Sequence, residues 1–176
     1  DSYHKATEEC KQFGKPLVHP FNDPKVIEGQ GTVGLEIVQQ AKESIDYIFI
    51  PVGGGGLASG LSSIVKGLSP KTKIIGVEPA GAPSMSKSIS KGEVVQLEKI
   101  EKFVDGASVQ RVGDLTFEIC NKNLDVMTTV HEGKICQTIL EMYNKDAIVA
   151  EPAGVMSIAA LDEFKDEIKG KTVVCL

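Results

Sequence analysis

Continuous apolar runs alternate along this chain with stretches whose apolar positions recur every three or four residues. The run "YIFIPV" at 47–52 reads as a strand buried on both faces. It is followed by a helix, "LASGLSSIVKGL", and by a second apolar run, "KIIGVEP". Residues 47–78 therefore form one β-α-β unit, close to the ~30 residues such a unit takes, and its strands should run parallel. Upstream, residues 1–13 predict a helix with Ser2 as N-cap and Gly14 just past its end. "KPLVHPF" predicts a short extended segment interrupted by Pro16 and Pro20. "DPKVIEGQGTVGLEIVQQAKES" predicts a turn, a glycine-rich bend and a helix carrying Val33, Ile37 and Ala41 at spacing four. Downstream, helices are expected near 82–91, 114–121, 131–144 and 153–165, and strands near 124–129 and 172–176. Strands alternating with helices give an α/β class: an open, mostly parallel twisted sheet with helices on both faces.

Composition narrows this picture. The 176 residues suffice for one domain with a real core, and 41% hydrophobic with 24% charged residues is ordinary for a packed globular protein. The formal charge of -5, with Lys and Arg scattered, argues against a nucleic-acid partner. No apolar stretch reaches the ~20 residues of a transmembrane helix, and "DSYHKATEEC" carries no signal pattern, so the expectation is a cytoplasmic protein with no membrane partner. Cys10, Cys120, Cys136 and Cys175 lie far apart without a Cys-x-x-Cys pair and read as reduced core thiols. His4, His19 and His131 have no ligand spacing and read as surface or cap residues. The chain opens on a helix cap and stops inside the strand-like "TVVCL", so a fragment of a longer protein is expected.

The candidate chemistry lies in "PVGGGGL" at 51–57. Gly53, Gly54, Gly55 and Gly56 fall between a strand and a helix, at the carboxyl end of a parallel sheet where ligands bind. A helix N-terminus presents unpaired N–H groups and partial positive charge, so a loop without side chains there makes a phosphate cradle. A tight turn packed against a neighbouring helix is the plainer alternative. Gly53, Gly55 and Ala58 also fit Gly-x-Gly-x-x-(Gly/Ala), with Glu78 ending the next strand as a ribose-binding acid would, which leaves a dinucleotide open. A P-loop is excluded, since no Gly-Lys-Ser/Thr follows.

Four stretches, in order, resemble one family. "FNDPKVIEGQGTVGLEI", "PVGGGGLASG", "VDGASVQRVGDLTFEIC" and "AIVAEPAGVMSIAAL" are similar to segments of the pyridoxal-phosphate enzymes of the threonine/serine dehydratase type, which include serine racemase. The resemblance covers nearly the whole chain and is closest to the biosynthetic threonine dehydratases. It implies the large domain of the tryptophan-synthase-β-like fold over residues 21–176, truncated at both ends, with 1–20 as the tail of a small domain. It also implies pyridoxal 5'-phosphate as cofactor, conversion of L-threonine or L-serine to a 2-oxo acid and ammonia, and a homodimeric or tetrameric parent. Carried over by residue, Gly53, Gly54, Gly55, Gly56 and Leu57 would offer N–H groups to the cofactor phosphate. Asp105, Gly106 and Ala107 would run beside the ring, and Glu151 would lie near its edge. Without the resemblance, Glu151 reads equally as an acid at a helix N-terminus.

The chain departs from the family at defined points. No Ser-Phe-Lys-x-Arg-Gly-Ala-like motif is present, so the Schiff-base lysine is missing, and Lys87 in "SMSKS" reads as a solvated helix lysine. The Ser-Ser-Gly-Asn-like and Ser-Gly-Gly-Asn-like loops for the substrate carboxylate and the pyridine nitrogen are missing too, so this chain alone is expected to be inactive. Racemase-like members hold a divalent cation at a glutamate, a carbonyl four residues on and a further acid. Glu78 and Ala82 match weakly, but Ser84 replaces the acid, and no metal is expected. Beside the dehydratase stand three alternatives: a serine racemase or serine dehydratase, a dinucleotide-dependent oxidoreductase domain, and a non-catalytic phosphate-binding module.

Overall fold

The computed structural model describes the chain from Ser2 to Leu176, and its side chains from Lys5 onward; the cap expected at Ser2 and the side chain of His4 lie outside the described residues. Four parallel strands, β1 (Tyr47–Pro51), β2 (Lys73–Pro79), β3 (Val126–Val130) and β4 (Val173–Cys175), form one sheet in the order β3-β2-β1-β4. The register pairs Ile48 with both Ile74 and Val174. β1 is central, and because side chains alternate across a strand it feeds two cores. Tyr47 and Phe49 face the cluster that includes Val155, Met156 and Phe164, with the Phe49 and Phe164 rings 5.2 Å apart edge to face. Ile48 and Ile50 face the cluster that includes Leu61, Val65 and Cys120. The continuous apolar run thus becomes a strand covered on both sides.

The helices are α1 (Ser2–Phe13), α2 (Pro24–Gln40), α3 (Gly56–Leu68), α4 (Ser84–Lys91), α5 (Asp114–Asn123), α6 (Glu132–Asp146), α7 (Pro152–Ala159) and α8 (Leu161–Phe164). None among the described residues is long and apolar enough to cross a membrane. Two expectations change. The glycine-rich bend is instead the first half of α2, which runs unbroken through Gly29, Gly31 and Gly34. Helix propensity disfavours those glycines, and at two of them tertiary contact overrides it: a Cβ on Gly31 would stand 3.2 Å from the Gly60 carbonyl oxygen, and one on Gly34 3.0 Å from that of Leu61. The segment 15–21 is irregular and ends in a turn, where the His19 Nδ1 accepts the N–H of Phe21 (3.3 Å) and of Asn22 (2.9 Å). The helix expected over 153–165 breaks at Ala160 into α7 and α8.

α2 starts where its cap dictates. Asp23, in extended conformation, accepts from the N–H groups of Lys25 (2.8 Å) and Val26 (3.3 Å), and Pro24 follows at the first helical position, where no N–H is needed. Asp23→Ala should cost about 1 kcal/mol, read as a lower urea midpoint at unchanged slope. Of the cysteines, all free, only Cys120 is a fully buried core thiol; Cys136 is exposed, against the expectation for the set.

Candidate functional site

β1 ends at Pro51, and the Val52 N–H is still held by the Val77 carbonyl at 2.8 Å, so the chain leaves the sheet only at Gly53. Gly55 has φ +91°, a left-handed conformation that glycine adopts without a side-chain clash. It turns the chain into α3, whose first intrahelical bond runs from Ser59 N–H to the Gly55 carbonyl (2.8 Å). The N–H groups before that bond have no partner within the helix. α3 leads from β1 to β2 on one face of the sheet, while α7 and α8 lead to β4 on the other. The crevice beside β1 is therefore a switch point of the kind where open parallel sheets bind ligands. The N-termini of α3 and α7 both open onto it, and it contains a cavity of about 330 Å³.

Packing explains the glycines. A Cβ on Gly54 would fall 2.2 Å from the Phe21 ring, and one on Gly56 3.0 Å from the Phe21 Cβ. One on Gly53 would press on Ala107 at 3.0 Å, and one on Gly106 would stand 3.1 Å from the Ala153 Cβ and 3.4 Å from Glu151 Oε1. The loop is held from behind by α5: the Thr116 hydroxyl donates to the Gly54 carbonyl (2.7 Å), and the Ser59 hydroxyl donates to the Thr116 carbonyl (3.2 Å). Asn22 Oδ1 accepts the Leu115 N–H at 3.0 Å, tying the turn at residues 19–22 to the N-terminus of α5. Phe21, held edge to face by His19 at 4.6 Å, covers the loop from the front. His19, half-buried, thus caps a turn, the second of the two roles expected for it.

The cavity brings together Gly53, Gly54, Gly55, Gly56, Leu57, Gly106, Ala107 and Glu151 from three separate stretches of sequence. Asp105 is exposed next to them and does not line it. Phe21 and Gln30, which sequence reasoning missed, do. Glu151, the residue that leads into α7, is the one charged side chain among the lining residues. The wall therefore offers an anion neutral donors: loop N–H groups, two helix N-termini and an amide. A phosphate fits such a cradle, since close backbone approach and helix-end partial charge are what hold it.

Glu78 serves another purpose. It is fully buried, and its carboxylate accepts from the N–H groups of Met85 (2.6 Å) and Ser86 (2.8 Å) and from the Ser86 hydroxyl (2.6 Å), capping α4 from the end of β2. Burial pushes its carboxyl up to about 7, although the hydrogen bonds from Ser86 and Met85 pull the other way. Both oxygens face protein donors, so a ribose hydroxyl would find neither free. The Ala82 carbonyl accepts from Ser84 N–H (2.9 Å), and the Ser84 hydroxyl donates to the Val109 carbonyl. The stretch weakly matched to a cation site is thus a closed network of helix-capping bonds. Among the described residues no group of three or more His, Cys, Asp or Glu is placed to hold a metal. Lys87 is exposed on α4.

Comparison with known proteins bears on this geometry. A biosynthetic L-threonine dehydratase from Halalkalibacterium halodurans is 56% identical over all of this chain, and one from Bacillus subtilis is 50% identical. The chain spans only 43% and 42% of those relatives' lengths. Among solved structures, threonine deaminase isoform 2 from Solanum lycopersicum superposes with a TM-score of 0.92 at 39% identity, over 98% of this chain and 50% of that one. Serine racemase from Dictyostelium discoideum superposes with a TM-score of 0.86 at 34% identity, over 99% of this chain and 56% of that one. The family model described as pyridoxal-phosphate dependent enzyme matches residues 1–176, and with its phosphate-type cradle in the expected place this chain belongs to that family.

Proposed function

We propose that the intact protein containing this chain is a threonine dehydratase, an ammonia-lyase that converts L-threonine to 2-oxobutanoate and ammonia, and L-serine to pyruvate and ammonia. The single observation that carries the reading is the glycine loop opening into a neutral-donor cavity at the switch point, in a chain half-identical to biosynthetic threonine dehydratases. The backbone N–H groups of Gly53, Gly54, Gly55, Gly56 and Leu57 bind the cofactor phosphate. Gly106 and Ala107 leave room for the flat ring to lie against backbone, with Asp105 on the same stretch, and Glu151 orients the ring edge from the start of α7. Pyridoxal phosphate, when bound, supplies the electron sink that lets the α-proton leave before the β-hydroxyl departs.

Among the described residues no lysine lines the cavity, and the family's lysine motif is absent from the sequence, so this chain supplies the phosphate grip and not the covalent attachment. On this reading it is inactive alone. The intact enzyme works in the cytoplasm as a homo-oligomer, in isoleucine biosynthesis, with residues 1–20 closing a smaller neighbouring domain. Product analysis of the intact protein with added cofactor tests the assignment: L-threonine should yield 2-oxobutanoate and ammonia, and L-serine pyruvate and ammonia. Accumulation of D-serine without comparable oxo-acid would assign a racemase instead, and no turnover of either amino acid would overturn the reading.

A further inference from the structure

We propose that Gln30 donates its side-chain amide directly to the phosphate held by the glycine loop; this rests on the reading above. A phosphate monoester brings about -1.5 to -2 charges at pH 7. Among the described residues no lysine, arginine or histidine lines the cavity, and its one charged side chain, Glu151, has the wrong sign. Within this chain the anion meets neutral donors, and among the described residues Gln30 carries the only side-chain N–H groups in the wall. It is half-buried, and among the described residues its amide has no hydrogen-bond partner. Groups left unpaired in a cavity wall are those a ligand can recruit.

The packing of α2 on α3 fixes where the backbone of Gln30 sits. The Gln30 carbonyl carbon would lie 2.9 Å from a Cβ on Gly60, so the two backbones touch there. Gly60 follows Gly56 by four residues, about one helical turn, so Gln30 sits roughly 6 Å behind the α3 N-terminus, a gap of about the length of a glutamine side chain. The glycine contacts between α2 and α3 hold it in that position.

The test compares pyridoxal phosphate with pyridoxal, which lacks the phosphate, by titrating each into the cofactor-free intact protein. In the unaltered protein the phosphate form should bind far more tightly; equal affinity would remove the phosphate cradle and this proposal with it. Gln30→Met keeps length and packing while deleting the donors. It should weaken pyridoxal phosphate on the order of 10-fold, the worth of one hydrogen bond to a charged group, and leave pyridoxal unchanged. The 31P resonance of the bound cofactor should also move. Gln30→Glu should weaken pyridoxal phosphate more than Gln30→Met does. Unchanged pyridoxal phosphate affinity with an unshifted 31P resonance in Gln30→Met, or equal weakening of both ligands, would overturn the proposal and leave the cradle reading intact.

Discussion

Gly60→Ala lowers the stability of this protein by about 3 kcal/mol, near the top of the range for overpacking a filled interior. Its Cβ would meet the Ile27 carbonyl oxygen at 2.3 Å and the Gly31 nitrogen at 2.5 Å, and both are backbone atoms of α2 that cannot rotate aside. Relief requires moving one helix off the other. α2 and α3 pack through Gly31 and Gly34 as well, so the displacement opens the whole contact. A glycine in a helix ordinarily costs stability relative to alanine, so the expected sign is opposite to the propensity rule. Gly67, near the end of the same helix, has nothing within 4 Å of the place a Cβ would take and provides the control: Gly67→Ala should raise stability by about 0.5 kcal/mol. Urea midpoints at constant slope measure both. A Gly60→Ala midpoint equal to that of the unaltered protein would show that the helices separate freely.

That contact also explains what can and cannot be read from the residues in order. β1, α3 and β2 are legible because their determinants are local: an apolar run, four glycines and a helical repeat within about thirty residues. Gly31 and Gly34 read as part of a bend because their helical state depends on a partner helix some thirty residues on. Phe21 and Gln30 escape notice for the same reason, since they reach the loop only through the turn made by His19 and the docking of α2. The family resemblance assembles residues 53–57, Gly106, Ala107 and Glu151, and the cavity gathers them; Asp105, adjacent in sequence, turns outward to solvent.

Glu78 sets the second large effect, and its sign follows from which state holds the proton. Its carboxyl, ordinarily near 4.5, is pushed up to about 7 in the folded protein because burial disfavours the charge more than the Ser86 and Met85 donors favour it. Between those values the folded state binds more protons than the unfolded state, so stability is full below about 4.5 and falls as pH rises to about 7. At about 1.4 kcal/mol per tenfold in proton affinity, the total is about 3 kcal/mol. Glu78→Gln abolishes the titration. It also turns an amide nitrogen toward N–H groups that the carboxylate oxygens now accept, at a cost of about 1–3 kcal/mol that does not vary with pH. The advantage of the unaltered protein over the variant should therefore be largest below about pH 4.5 and shrink by about 3 kcal/mol by pH 8. Comparing the two proteins cancels every titration they share, and the neighbouring Cys120 thiol, pushed up to about 12 by burial, stays outside the window. If the advantage instead grows with pH, the α4 N-terminus and its donors hold the carboxylate ionised, and the helix end, not desolvation, governs this buried acid.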